Sequence, residues 1–399
     1  MKVLWVIEND KNSANFKIAI KIAQIMSNKH KLECAIYGGC LDDNYIELEP
    51  FFSNIYRIGA SSSKKFCSRL WQSSSRNYKI RYLLKNPYRI LEFLEFKISK
   101  CKLNCRHKLQ KILKKNNFDV VIGVVFPYDI ALMIGDLDSK LVKIIIQLDP
   151  YTGNKILKDK IDVRISNEKK VLKNLDFLFT TQIIKQEIVG LYGCYDNNII
   201  PIEFPEMSLY CKRTYSSNNR NDNTIRFLYA GTFYKDIRNP KVLVDLFEPL
   251  PLNYELILAG MNCDMIDEFS KNISNRIIKH GLVSQSEVEK LKNDVDVLIC
   301  FNNLVDNQVP SKLFECIETG KPFINLCQLN NCPTLPYVKG YSNALTIFAN
   351  NINYAEIQNF VEEHKGTIVS HSEILKRFYK HTYEYVENQI EEVINSVRI

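Results

Sequence analysis

The sequence predicts an α/β protein of two Rossmann-like, doubly wound parallel-sheet domains facing a cleft, and three observations predict it. Short apolar runs alternate with longer amphipathic ones, the pattern of βα units around a parallel sheet. The alternation breaks at 206–224, a polar stretch carrying Ser216, Ser217, Asn218, Asn219, Asn221 and Asn223 with no apolar period. The chain has 399 residues, too many for one comfortable core, with the 46% hydrophobic and 25% charged content of a soluble globular protein. The expected organisation is a domain at 1–205, a linker at 206–224, a second domain at 225–369, and a helix at 370–399 that crosses back to the first domain.

In the first half, strands are expected at Lys2–Ile7, Leu32–Tyr37, Val120–Val125, Val142–Leu148, Phe177–Thr180 and Asn198–Pro201. Helical runs separate them. In Asn12–Ser27, for example, Phe16, Ile18, Ala19, Ile22, Ala23 and Met26 recur at helical spacing. The second half repeats the scheme, with strands at Ile225–Ala230, Tyr254–Ala259, Arg276–His280, Val295–Cys300, Phe323–Leu326 and Asn343–Ile347. Helices are expected at Pro240–Phe247, Ser284–Asn293, Ser311–Thr319 and Tyr354–His364. The stretch Ser370–Val397 is amphipathic throughout and suits a long helix packing across both halves.

No run of eighteen apolar residues is free of charge, which argues against a spanning helix. The apolar start is interrupted by Glu8 and Asp10, too early for a signal-peptide core, so a cytoplasmic location is expected. The 12 cysteines are scattered without a Cys-x-x-Cys pair and read as buried or incidental thiols. His30, His107, His280, His364, His371 and His381 form no His-x3-His pair, so no metal and no other cofactor is expected.

Three places carry chemistry. Phe227–Phe233 is a strand entering a loop with Gly231 and Thr232, followed by Arg238-Asn239-Pro240 and a helix. Glycine lets backbone approach a phosphate, a helix amino end offers free N–H groups, and Arg238 can pair with a diphosphate. The same junction is also plain turn chemistry in any α/β fold. In Pro310–Pro322, Ser311 begins a helix and Lys312 falls in its first turn, where a cation opposes the dipole. That conflict favours a role holding an anion. Glu315 lies on the same face, and a carboxylate can accept both hydroxyls of a ribose; an exposed Lys–Glu pair is the alternative. Finally Asp149, in Gln147–Gly153, ends a very apolar strand, where it is either an acceptor-activating carboxylate or a turn aspartate before proline. Asp129 and the group Glu8, Asn9 and Asp10 are lesser candidates at other strand ends.

The segment Pro310-Ser311-Lys312-Leu313-Phe314-Glu315, closed by Gly320-Lys321-Pro322, resembles the signature of GT-B glycosyltransferases, especially the bacterial family 4-like enzymes of surface-polysaccharide synthesis. The likeness extends over Ile225–Leu326. It takes in Tyr229–Phe233, Arg238–Pro240, Leu258–Gly260, the turn His280-Gly281-Leu282-Val283-Ser284 and Asp294–Ile299. It implies a GT-B fold and a nucleotide-sugar substrate, UDP-linked rather than GDP-linked. It also implies that Glu315 binds the ribose, that Lys312 and Arg238 bind the diphosphate, and that Gly231 and Thr232 place backbone near the phosphates. His280–Val283 would cradle the base, and transfer would be metal-independent and retaining. One residue departs from the pattern: relatives with a Glu-x7-Glu motif carry an acid eight positions before the ribose-binding glutamate, and here that position is Asn307, beside Asp306.

The stretch Lys64–Lys115 holds sixteen basic residues against Glu92 and Glu95, with Trp71, Tyr78, Tyr82, Tyr88, Phe93 and Phe96 interleaved. The excess surpasses the chain's net charge of +8, so the remainder is net acidic. Basic aromatic helices suit an anionic membrane surface, and no nucleic-acid module accompanies the charge. The expected protein transfers a sugar to a lipid-linked or other glycan acceptor at the inner face of a bacterial plasma membrane. A nucleotide-sugar 2-epimerase of the same fold and a non-catalytic membrane-associated subunit are the alternatives.

Overall fold

The computed structural model describes residues 1–11, 13–38, 45–58, 102–137, 140–155, 161–193, 195–210, 215 and 222–397. By its internal contacts the chain divides into two units. One comprises Met1–Gly153, Asp159–Pro205 and Tyr383–Ile399, the other Asn154–Lys158 and Glu206–Thr382.

The first unit is a seven-stranded parallel sheet. Its strands are β1 (Lys2–Glu8), β2 (Lys31–Tyr37), β3 (Ile55–Ile58), β4 (Val120–Val125), β5 (Val142–Gln147), β6 (Phe177–Thr180) and β7 (Ile199–Pro201), in the order β3-β2-β1-β4-β5-β6-β7. The central strands are buried along their length because helices cover both faces, so they read in sequence as apolar runs. Around them lie α1 (Ala14–Met26), α2 (Lys102–Lys115), α3 (Asp129–Gly135), α4 (Ile161–Asn174) and α5 (Gln182–Tyr192). α1 starts where the Ser13 hydroxyl accepts from the Phe16 N–H, and it buries the apolar stripe expected of it.

The second unit is a six-stranded parallel sheet: β8 (Ile225–Ala230), β9 (Tyr254–Ala259), β10 (Ile277–Gly281), β11 (Val297–Phe301), β12 (Phe323–Cys327) and β13 (Ala344–Phe348), in the order β10-β9-β8-β11-β12-β13. Its helices include α6 (Lys241–Phe247), α7 (Gln285–Asp294), α8 (Lys312–Thr319), α9 (Tyr354–His364) and α10 (His371–Phe378). An aromatic cluster fills the core beneath β8, where Phe227 meets Phe247 edge-on at 5.0 Å and Tyr229 lies 5.0 Å from Phe233. Each sheet reverses strand order beside its first strand, and ligands of open α/β sheets bind at such points, outside the strands' carboxyl ends.

The amphipathic stretch beginning at Ser370 is two helices rather than one. α10 ends at Phe378, a 3-10 turn spans Tyr379–His381, and α11 (Tyr383–Ser396) follows in the first unit. There α11 packs on α1, with Lys29 Nζ 2.8 Å from Glu387 Oε1 and His30 Nε2 2.6 Å from Glu391 Oε1. The crossing helix is therefore only the final one. Of the polar stretch 206–224, residues 211–214 and 216–221 lie outside the described residues; Glu206 and Met207 donate their N–H groups to the His381 carbonyl. Of the basic stretch Lys64–Lys115, residues 64–101 likewise lie outside them. In α2, Cys105 and Leu109 face the core, while Lys111, Lys114 and Lys115 are exposed. No described helix is long and apolar enough to cross a membrane, and the seven described cysteines are buried and unbridged.

Candidate active site

At the carboxyl edge of the second sheet, three loops lie one against the next. The Gly231 N–H donates to the Ala259 carbonyl at 2.8 Å, and the Gly260 N–H to the Gly281 carbonyl at 2.7 Å. Gly260 has φ +139°, and a Cβ there would lie 2.1 Å from the Gly231 oxygen, so the two loops touch backbone to backbone. Gly231, Thr232 and His280–Val283 are thus brought side by side along the ends of β8, β9 and β10. His280 is exposed, Leu282 is 71% exposed, and the space a Gly281 side chain would fill is open.

Arg238 returns toward this edge from the loop after β8. Its Nη1 donates to the Tyr229 hydroxyl at 3.3 Å, its guanidinium lies 5.3 Å from the Tyr234 ring centroid, and its buried Nε has no hydrogen-bond partner among the described residues. Burial pushes the Tyr229 phenol up to about 12 although Arg238 pulls it down. Tyr229 therefore stays neutral and donates to the Thr232 carbonyl at 3.1 Å. Gln328, just past β12, ties the loop down by donating to the Ile237 and Asn302 carbonyls at 2.6 and 2.7 Å.

α8 begins at Ser311, whose side chain makes no capping bond, and ends at Gly320 in the left-handed region. Lys312 Nζ lies 2.7 and 2.8 Å from the two carboxylate oxygens of Glu315. A second cation, which sequence reasoning missed, completes the arrangement: Lys292 Nζ, from the last turn of α7, is 3.1 Å from Glu315 Oε2 and 3.2 Å from Glu289 Oε1. Tyr215 donates in turn to Glu289 at 2.6 Å. Burial disfavours the charge on Glu315, but Lys312 and Lys292 hold its carboxyl well below the usual range. Burial also opposes the Lys292 charge, and Glu315 and Glu289 hold that ammonium well above its usual range. Lys312, Lys292 and Glu315, with Leu228, Ala230 and Leu298, line one small pocket. Leu313 is fully buried, so it can offer a ligand only its backbone.

The residues around Asn307 are engaged locally. Asn307 is buried, and Asp306 pairs with Lys155 and accepts from Asn331 Nδ2 at 3.2 Å. Its hydrogen bond from Lys155 holds the Asp306 carboxyl below its usual range. Among the described residues no group of three or more His, Cys, Asp or Glu side chains is placed to hold a metal ion.

Asp149 belongs to the first unit and lies half-buried just past β5. Its loop is anchored by Tyr151, whose ring stacks on Tyr128 at 3.5 Å and whose carbonyl accepts from Arg164 at 3.1 Å. At the end of β1, Glu8 accepts from the Ser13 hydroxyl at 2.5 Å. Burial pushes the Glu8 carboxyl up to about 7; the Ser13 bond opposes this, and the Asp10 and Asp149 carboxylates add to it. Asp129 accepts from the Tyr37 hydroxyl at 3.1 Å at the start of α3.

Two doubly wound parallel sheets, with a final helix returned to the first, define the GT-B fold of glycosyltransferases. Among solved structures, the lipopolysaccharide outer core galactosyltransferase WaaB is 15% identical, with 99% of each chain covered and a TM-score of 0.64. Anabaena HepE in complex with UDP and glucose is 12% identical over 99% of this chain and 100% of its own, at 0.67. Sucrose-phosphate synthase from Thermosynechococcus elongatus is 12% identical over 100% and 99%, at 0.71. No family model matches the chain, and no curated protein matches it.

Proposed function

We propose that this protein is a glycosyltransferase whose second unit holds a nucleotide-sugar donor, with UDP as the nucleotide. The observation that carries the reading is the Lys312–Glu315–Lys292 cluster beside the laddered glycine loops and the Arg238 loop. In this reading Glu315 takes the ribose hydroxyls. Lys312 and the guanidinium of Arg238, whose Nε has no partner among the described residues, take the diphosphate. Backbone at Gly231 and Thr232 lies along the phosphates, and the turn His280–Val283 meets the base. HepE, solved with UDP and glucose, supports the uridine nucleotide.

In the transfer step the acceptor oxygen bonds to the anomeric carbon as the bond from that carbon to the diphosphate breaks. The acceptor enters on the face that the diphosphate leaves. The leaving diphosphate keeps the electron pair, its charge met by Lys312 and Arg238, and its oxygen takes the acceptor proton, while Asp149 orients the acceptor hydroxyl. These cations do the neutralising without a metal, and retaining transfer of a hexose is the expected outcome. The acceptor is a lipid-linked glycan of a bacterial surface polysaccharide, and Lys64–Lys115 holds the protein at the inner membrane face. WaaB, which acts on lipopolysaccharide outer core, supports that class.

A thermal-shift panel of nucleotides and nucleotide sugars tests the donor reading, because a ligand that binds the folded state raises its melting point. UDP and at least one UDP-sugar are expected to shift it, and the shift to be lost in Glu315→Ala. A flat response to the whole panel overturns the proposal.

A further inference from the structure

We infer that Lys292 is a positioning residue of the donor site: it holds the Glu315 carboxylate in place while Lys312 transfers from that carboxylate to the donor's diphosphate. The inference rests on the donor reading above and concerns how the site opens to its ligand.

An ionised carboxylate has about four lone-pair positions. Three are already used on Glu315, two by Lys312 at 2.7 and 2.8 Å and one by Lys292 at 3.1 Å. A ribose diol needs two, so one ammonium contact must give way. The two cations differ in their freedom to do so. The Lys312 side chain is 30% exposed, whereas that of Lys292 is 6% exposed and also bound to Glu289, which the Tyr215 hydroxyl holds from behind. Lys312 is therefore the exchangeable cation, and a diphosphate is the stronger anion to attract it.

Lys292 matters once Lys312 has left. The Glu315 side chain is only 14% exposed, and a buried carboxylate with no cation beside it takes up a proton instead of staying charged. Glu315 is faced by Lys312 from its own helix, by Lys292 and Glu289 from α7, and by the Cys300 and Cys316 thiols; Tyr215 lies behind Glu289. Burial pushes Cys316 up to about 12 and raises Cys300 as well, so both stay neutral. Lys292 is then the group that keeps Glu315 an acceptor for two hydroxyls.

Calorimetric titration of the full chain near neutral pH, in buffers of different ionisation enthalpy, tests this. UDP and uridine are one ligand pair, GDP and guanosine a second. The wild type is expected to bind UDP with no proton uptake. Lys292→Gln should bind it about tenfold more weakly and take up nearly one proton, and Lys292→Arg should restore the wild-type behaviour. Lys312→Met should split the ligands: UDP binds about tenfold or more weakly, while uridine binds more tightly because Glu315 is already released. A merely structural role would weaken both and move no proton. Lys292→Gln binding UDP with wild-type affinity and no uptake overturns the inference, as does Lys312→Met losing uridine along with UDP. Should Lys292→Gln fail to fold, the direction of the uridine change in Lys312→Met decides alone. A wild type that binds none of the four ligands overturns the donor reading itself, and the inference with it.

Discussion

Each sheet ends its strands near a carboxylate that has lost much of its solvent, and the two are handled in opposite ways. Glu8, in the first unit, is met by one hydroxyl and by the carboxylates of Asp10 and Asp149, and its proton stays on up to about pH 7. Glu315, in the second, is met by two ammonium groups and stays ionised. Burial alone would protonate both, so the neighbours decide. One edge presents a carboxyl whose charge changes near neutral pH, the other a fixed negative charge between two cations.

The contrast can be broken from either side. The largest effect should come from Glu315→Ala, which strands the buried Lys292 with Glu289 alone. It is expected to lower stability by about 3 kcal/mol or more in urea unfolding and to abolish the nucleotide thermal shift. Gly260→Ala, which forces a Cβ onto the Gly231 oxygen, should cost about 2 to 3 kcal/mol by the same measurement and weaken nucleotide binding through the displaced loop. Ser284→Ala removes the capping box of α7, the helix that carries Lys292, and should cost about 1 kcal/mol.

The smallest effect sharpens the other side. The folded pKa of Glu8, about 7, lies above its ordinary 4.5, so between these values the folded state binds more protons than the unfolded one. This carboxyl therefore lowers stability as pH rises through that window. Glu8→Gln should stabilise by roughly 1 kcal/mol at about pH 8, allowing for partial exposure, and change little at about pH 4. Melting curves at the two pH values check it, and a stabilisation equal at both contradicts the raised pKa.

The sequence made the architecture legible because strands covered on both faces, such as Val120–Val125, read as near-continuous apolar runs. β3 was not legible: Ile55–Ile58 is a four-residue edge strand whose Arg57 is exposed. Nor was the break at Tyr379–His381, since Ile374, Phe378, Tyr383, Val386 and Ile390 continue an amphipathic run with no glycine or proline. In the candidate site, the Lys312–Glu315 pair follows from helical spacing. Lys292 does not, because a lysine in a polar helix ordinarily faces water. Its one signal is position, four residues after Val288 and three before the buried Val295, which puts it on the inward face of α7.

The return of α11 to the first unit also bears on how the molecule is made. Lys29 and His30 find their partners Glu387 and Glu391 some 360 residues later in the chain. During vectorial synthesis the second unit has its whole sequence, through Thr382, before the first receives its last helix. The domain begun first is finished last, and until then the face of α1 that α11 covers is left to solvent or to a chaperone.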